Sequence, residues 1–117
     1  MTTTQRLVPG ANQLEVESEI LRISARLEEA TDEYARLITL AAEAEVQHKK
    51  EWAQATLKSN EGTVSQREAQ ATLSTVDALL QRKISEALAR AQAELCHSHR
   101  AQLSALQTLA ANIRAQT

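Results

Sequence analysis

Residues 96–99 read Cys-His-Ser-His, a combination of side chains that can ligate a metal ion. A zinc site needs four ligands, and on a helix only positions three or four apart share a face. Cys96 and His99 can therefore act as a pair, while His97 points about 100° away. Two further ligands are not in reach along the chain. The expectation is no metal and no cofactor, with Cys96 buried beside a solvated turn of helix. His48 falls on an apolar seam and is expected to be a hydrogen-bonded histidine at a helix interface. Trp52 is expected to anchor a packing contact, within the chain or between chains. The sequence holds no Gly-rich phosphate loop, no nucleophile elbow and no His-Glu-x-x-His. It is read as a non-enzyme.

The basic residues offer binding chemistry. Lys49, Lys50 and Lys58 precede Gly62, and Arg67 follows it, with Arg82-Lys83 not far beyond. A turn near Gly62 brings the first four into one neighbourhood and sets Arg100 opposite Arg22 and Arg26. Lys and Arg clusters supply most non-specific affinity for phosphate backbones. The competing reading is ordinary solvated helix faces with internal pairs, such as Glu86 with Arg90 at i,i+4.

Helices must position these groups. The 117 residues include two glycines, one proline and no phenylalanine, and aromatics make up 2%. Ala, Leu, Glu, Gln and Arg favour helix. Val16, Ile20, Ile23, Leu27, Ala30, Tyr34, Leu37, Ala41, Ala44 and His48 alternate four and three apart, the period of a coiled-coil seam. The spacing predicts a helix over about 12–60. Residues 1–11, with Pro9-Gly10, are expected to form a flexible tail. Asn60 and Gly62 tolerate left-handed backbone and stop the helix, so the turn falls at about 60–64. Thr63 with Gln66, or Ser65 with Glu68, can cap the next helix, expected over about 64–115. Its apolar face is read as Ala69, Leu73, Val76, Leu80, Ile84, Leu88, Ala91 and Leu95, then Leu103, Leu106, Ala110 and Ile113. Either arm could be broken into shorter helices.

The fold class is therefore all-α: a long antiparallel helical hairpin, 12–117, assembling into an oligomeric bundle or ring. Each arm of about fifty residues would span roughly 75 Å. Two thin helices leave apolar positions uncovered, here Leu21, Ile38 and Trp52 on the first and Leu79 and Leu109 on the second. Association with further copies is the simplest way to bury them, so Leu21, Ile38 and Trp52 are the expected oligomer interface.

Charge is unevenly spread. Nine acids and three arginines lie between Asn12 and Glu45, but nine Lys/Arg and six acids from Val46 onward. This polarity suits head-to-tail association or an anionic partner at one end. No run of apolar residues is long enough to span a bilayer or serve as a secretion signal. The single cysteine fits a reducing compartment, so a cytoplasmic location without membrane attachment is expected.

Residues 42–75, AEAEVQHKKEWAQATLKSNEGTVSQREAQATLST, and 95–114, LCHSHRAQLSALQTLAANIR, carry a resemblance. An acidic, alanine-rich helix ends in lysines, a Gly-Thr-Val-Ser turn and an Arg-Glu-Ala start follow, and the last helix closes on arginine plus Leu-Gln-x-Leu. This pattern resembles the UvsY-type recombination mediators of bacteriophages. The resemblance implies a ring-forming, non-enzymatic homo-oligomer in the bacterial cytoplasm. It implies binding of single-stranded DNA and help in loading a recombinase onto strands coated with single-strand-binding protein. Carried over by position, Lys49, Lys50, Lys58 and Arg67 would contact the strand, with Arg100 in support. The alternative is a helical protein-protein adaptor or assembly factor with no nucleic-acid role.

Overall fold

The computed structural model describes residues 12–59 and 61–116. The tail expected at 1–11 and the turn residue Asn60 lie outside the described residues. Within them there are three helices and no strand: α1, Gln13–Lys58; α2, Val64–Ser74; α3, Val76–Gln116. The chain forms two compact units. The first joins the residues up to Asp32 with those from Glu94 on, and the second runs from Glu33 to Ala93.

The start of α1 is fixed by Asn12, whose Oδ1 accepts the Glu15 N–H at 2.9 Å and so satisfies one of the orphan donors of the first turn. The seam read from the sequence is the face that α1 buries. Val16, Ile23, Ala30 and Leu37 are buried, and Ile20, Leu27, Tyr34, Ala41, Ala44 and His48 are half-buried. Threonines inside the helix, such as Thr31 and Thr39, return their hydroxyls to the carbonyls of Leu27 and Ala35, which satisfies them within α1.

Between α1 and α2 the backbone reverses. Gly62 has φ +90°, a conformation that costs an L side chain strain and costs glycine none. Thr63 then caps α2 in a reciprocal box: its Oγ1 accepts the Gln66 N–H at 3.2 Å, and its own N–H donates to Gln66 Oε1 at 2.9 Å. Of the two overlapping caps that the sequence offered, the chain uses this one.

The second arm is not one uninterrupted helix. At Thr75 (φ −115°, ψ 18°) the N–H is shared between the carbonyls of Ala71 and Thr72. Ala71 also accepts the hydroxyls of Thr75 at 2.7 Å and Ser74 at 3.2 Å. Three donors on one carbonyl distort the ladder locally. The Leu79 N–H still reaches the Thr75 carbonyl at 3.1 Å, so α3 follows α2 without a loop.

The buried face of the second arm differs from the sequence reading. Ala71, Thr75, Ala78, Arg82, Ser85, Ala89, Gln92, Cys96 and His99, spaced four and three apart, are its buried or half-buried positions. The face expected to be core is outward instead: Leu73 is 75% exposed, Val76 55%, Leu80 56% and Leu88 52%. The two readings agree again at Leu103, Leu106, Ala110 and Ile113, which are half-buried or buried. The physical reason lies in α1. Beyond Leu37, its seam in the second unit runs through Ala41, Ala44, His48 and Ala55, which are small or polar, with Trp52 as the one large side chain beside them. It therefore receives a small and polar strip, and the large aliphatic strip is left over.

Across the described residues, Val16, Ile23 and Leu37 are the large aliphatic side chains that become buried, while thirteen large hydrophobic ones stay exposed. On α1 the exposed set includes Leu14, Leu21, Ile38, Val46 and Leu57. Leu21 and Ile38 are outward as expected, whereas Trp52, Leu79 and Leu109 are half-buried.

Candidate nucleic-acid interface

The second unit holds four of the five basic candidates. Lys49, Lys50 and Lys58 are exposed on the last three turns of α1, and Arg67 is half-buried in the first turn of α2. Their circumstances differ. Lys49 pairs with Glu45 at 3.2 Å. Lys50 and Lys58 have no carboxylate partner among the described residues. Arg67 has none either, and its Nε is shielded without a hydrogen-bond partner. Arg100 belongs to the first unit, where its side chain is exposed. Arg22, which the sequence set opposite it, is held by Glu19, with Nη2 donating to Oε1 at 2.9 Å.

A cleft of about 880 Å³ opens at the turn end of the second unit. The end of α1 contributes Glu51, Gln54, Ala55, Lys58 and Ser59; the turn contributes Glu61 and Gly62; and the second arm contributes Gln66, Gln70, Ser74 and Thr75. Lys58 is thus the basic candidate that lines it. The remaining polar lining is amide and hydroxyl, with two carboxylates. Amides both donate and accept hydrogen bonds, so the cleft can pair with base edges or sugar hydroxyls. Sequence reasoning missed Gln54, Gln66 and Gln70. The available signal was spacing: Gln54 and Lys58, like Gln66 and Gln70, stand one helical turn apart.

Sequence reasoning also missed the charge network between the arms. Arg82 donates Nη1 to His48 Nδ1 at 3.2 Å and Nη2 to Glu45 Oε1 at 3.4 Å. A guanidinium can only donate, so Nδ1 of His48 is the acceptor. This is the hydrogen-bonded interfacial histidine expected at position 48. Glu86 completes the group, 3.7 Å from Arg82 Nε and 3.8 Å from Lys83. The i,i+4 pair expected between Glu86 and Arg90 is replaced by these, because Arg82 is already held in the seam beside it.

Two carboxylates shift for a stated cause. The hydrogen bond from Arg22 holds Glu19 below the ordinary carboxylate range, and the hydrogen bond from Arg36 does the same for Glu33. Both are structural pairs along α1, remote in sequence from the cleft.

Cys96 is a free thiol and buried. His97 is exposed, and His99 is half-buried with Nδ1 shielded and without a hydrogen-bond partner. Among the described residues no group of three or more His, Cys, Asp or Glu side chains is placed to hold a metal ion. No described helix is long and apolar enough to cross a membrane.

Comparison with protein-family models, curated proteins and solved structures found no match.

Proposed function

We propose that this chain is a non-catalytic, self-associating helical protein whose turn end binds the phosphate backbone of single-stranded DNA. One observation carries the strand-binding part. Lys50, Lys58 and Arg67 lie in one unit without carboxylate partners, and Lys58 borders a cleft lined by amides and hydroxyls together with the carboxylates of Glu51 and Glu61. The amines attract phosphate, and Gln54, Gln66 and Gln70 give bases or sugars something to pair with. The resemblance extends the reading to recombinase loading on strands coated with single-strand-binding protein, inside the bacterial cytoplasm. With two aromatic residues in the chain, base stacking contributes little, so affinity is carried by charge.

Titration of a fluorescent oligothymidylate at several salt concentrations tests this. Affinity falls steeply with salt, with a slope of about −0.7 per phosphate neutralised. Neutralising Lys49, Lys50, Lys58 and Arg67 together flattens that slope. Absence of any binding at low salt refutes the reading.

The exposed Leu73, Val76, Leu80 and Leu88 favour a second reading, in which the apolar faces receive a different protein and the chain is an adaptor. Its mark is a partner lost when these residues are made polar and retained after nuclease treatment.

A further inference from the structure

The second unit leaves two apolar stripes uncovered, and they face away from each other. On α1, Ala42, Val46 and Ala53 are exposed on the side opposite the seam of Ala41, Ala44 and His48. On the second arm, Leu73, Leu80 and Ile84 are exposed on the side opposite Ala71, Ala78 and Arg82. The first stripe is small and the second is large.

We propose that the outer stripe of α1 is the docking surface for the outer stripe of α2 and α3 of a second copy, so that copies join head to tail, side by side at the same height. The proposal rests on the self-association in the reading above and not on strand binding.

Three observations argue for it. The first is orientation. A two-fold contact uses the same patch on both partners, so it covers one stripe and leaves the other in water. A head-to-tail contact covers both.

The second is register. Glu45 meets Arg82 across the arms of one chain, so their residue numbers fix a sum for groups at equal height. Copies standing side by side without axial shift bring residues with that same sum together. Within one residue, this sets Ile84 on Ala42, Leu80 on Val46 and Leu73 on Ala53. Leu73, Leu80 and Ile84 each thereby meet a smaller side chain of the other stripe, the condition for side chains to interdigitate.

The third is charge. The register of the three apolar pairs sets Asp77 against Lys49, and the Glu45–Arg82 sum, one residue greater, sets Lys50 against Asp77. Lys50 and Asp77 are both exposed, and neither has an ion-pair partner among the described residues. The contact supplies one to each. Lys50 is thereby drawn toward a neighbour, and strand binding falls more heavily on Lys58 and Arg67.

Paired variants test this without DNA. Val46 is 64% exposed and Leu80 56% exposed, so Val46→Glu and Leu80→Glu leave the fold intact, which circular dichroism checks. Each variant loses one stripe and keeps the other. By light scattering the unaltered chain forms species larger than a dimer, and each variant alone runs at the monomer mass of 12.9 kDa. An equimolar mixture of the two gives a dimer, because the intact α1 stripe of one meets the intact α3 stripe of the other. Closed rings and open filaments of the unaltered chain both satisfy the proposal. An unaltered chain that is monomeric or strictly dimeric, a variant that still self-associates, or a mixture that stays monomeric each overturns it. Strand binding by a monomer would leave the strand-binding part of the function reading standing, while its self-association and this proposal both fail.

Discussion

Replacing Gly62 with alanine should destabilise the chain through two separable effects. Gly62 sits at φ +90°, where an L side chain carries roughly 1–2 kcal/mol of strain. A Cβ built there lies 2.5 Å from Gln66 Oε1, closer than two such atoms can approach. The flexible Gln66 side chain must swing away. It then gives up its 2.9 Å hydrogen bond from the Thr63 N–H, half of the cap on α2, worth about 1 kcal/mol net. Together the change costs about 2–3 kcal/mol, or roughly 10 °C in Tm for a chain of this size. Urea denaturation at one fixed protein concentration measures it, since association adds a concentration-dependent term. Gln66→Ala alone should cost about 1 kcal/mol. In the Gln66→Ala background, Gly62→Ala should cost only the backbone strain, so the two changes are non-additive by about the worth of the lost bond. A Gly62→Ala chain within 0.5 kcal/mol of the parent, or strict additivity of the pair, would refute the account of this turn.

Further expectations follow from the seam. Arg82→Met removes both bonds across the arms and should cost about 1–2 kcal/mol in denaturation, while Arg82→Met with His48→Leu should recover most of it, since His48 is then no longer stranded and Glu45 and Glu86 keep Lys49 and Lys83. Glu19 and Glu33 have their folded values lowered by Arg22 and Arg36, so the stability they add is complete above the ordinary carboxylate value of 4.5 and is lost as pH falls through the lower folded values. Helicity followed by circular dichroism should therefore decline below about pH 5, and Glu19→Gln with Glu33→Gln should flatten that decline. Cys96, 2% exposed, should react with a thiol reagent only as fast as the helices open, and labelling of the folded chain at the rate of a free thiol would contradict its burial.

A good deal of this molecule is legible in the residue order. The four-three spacing from Val16 to His48 names the buried face of α1, because a helix has one period and apolar groups avoid water wherever they can. Gly62 and Thr63 announce the turn through backbone chemistry that few other residues perform. Asn12 starts α1 by capping, which is equally local. Cys96 reads as buried because a free cysteine behaves as a small apolar group, and His48 as a hydrogen-bonded interfacial histidine from its place in the seam.

The second arm is where local reading fell short. Its strongest apolar stripe, Leu73 to Leu88, is the strip that periodicity nominates for the core, yet it faces outward. Which strip faces α1 depends on what α1 presents. Ala41, Ala44 and His48 leave room for close approach, and Glu45 and His48 demand a donor. Arg82 satisfies both demands only when the weaker strip turns inward. The break at Thr75 likewise depends on Ser74 and Thr75 converging on one carbonyl, a geometry that helix propensity does not register. The candidate site divides along the same line. Lys49, Lys50, Lys58 and Arg67 flank one turn because a turn must follow Lys58, and that much is local. Whether a lysine is spent on a carboxylate, as Lys49 is on Glu45, or borders an amide-lined cleft, as Lys58 does, is fixed by where packing sets the two arms. Periodicity establishes that a helix has a greasy side; only the facing surface decides which side is used.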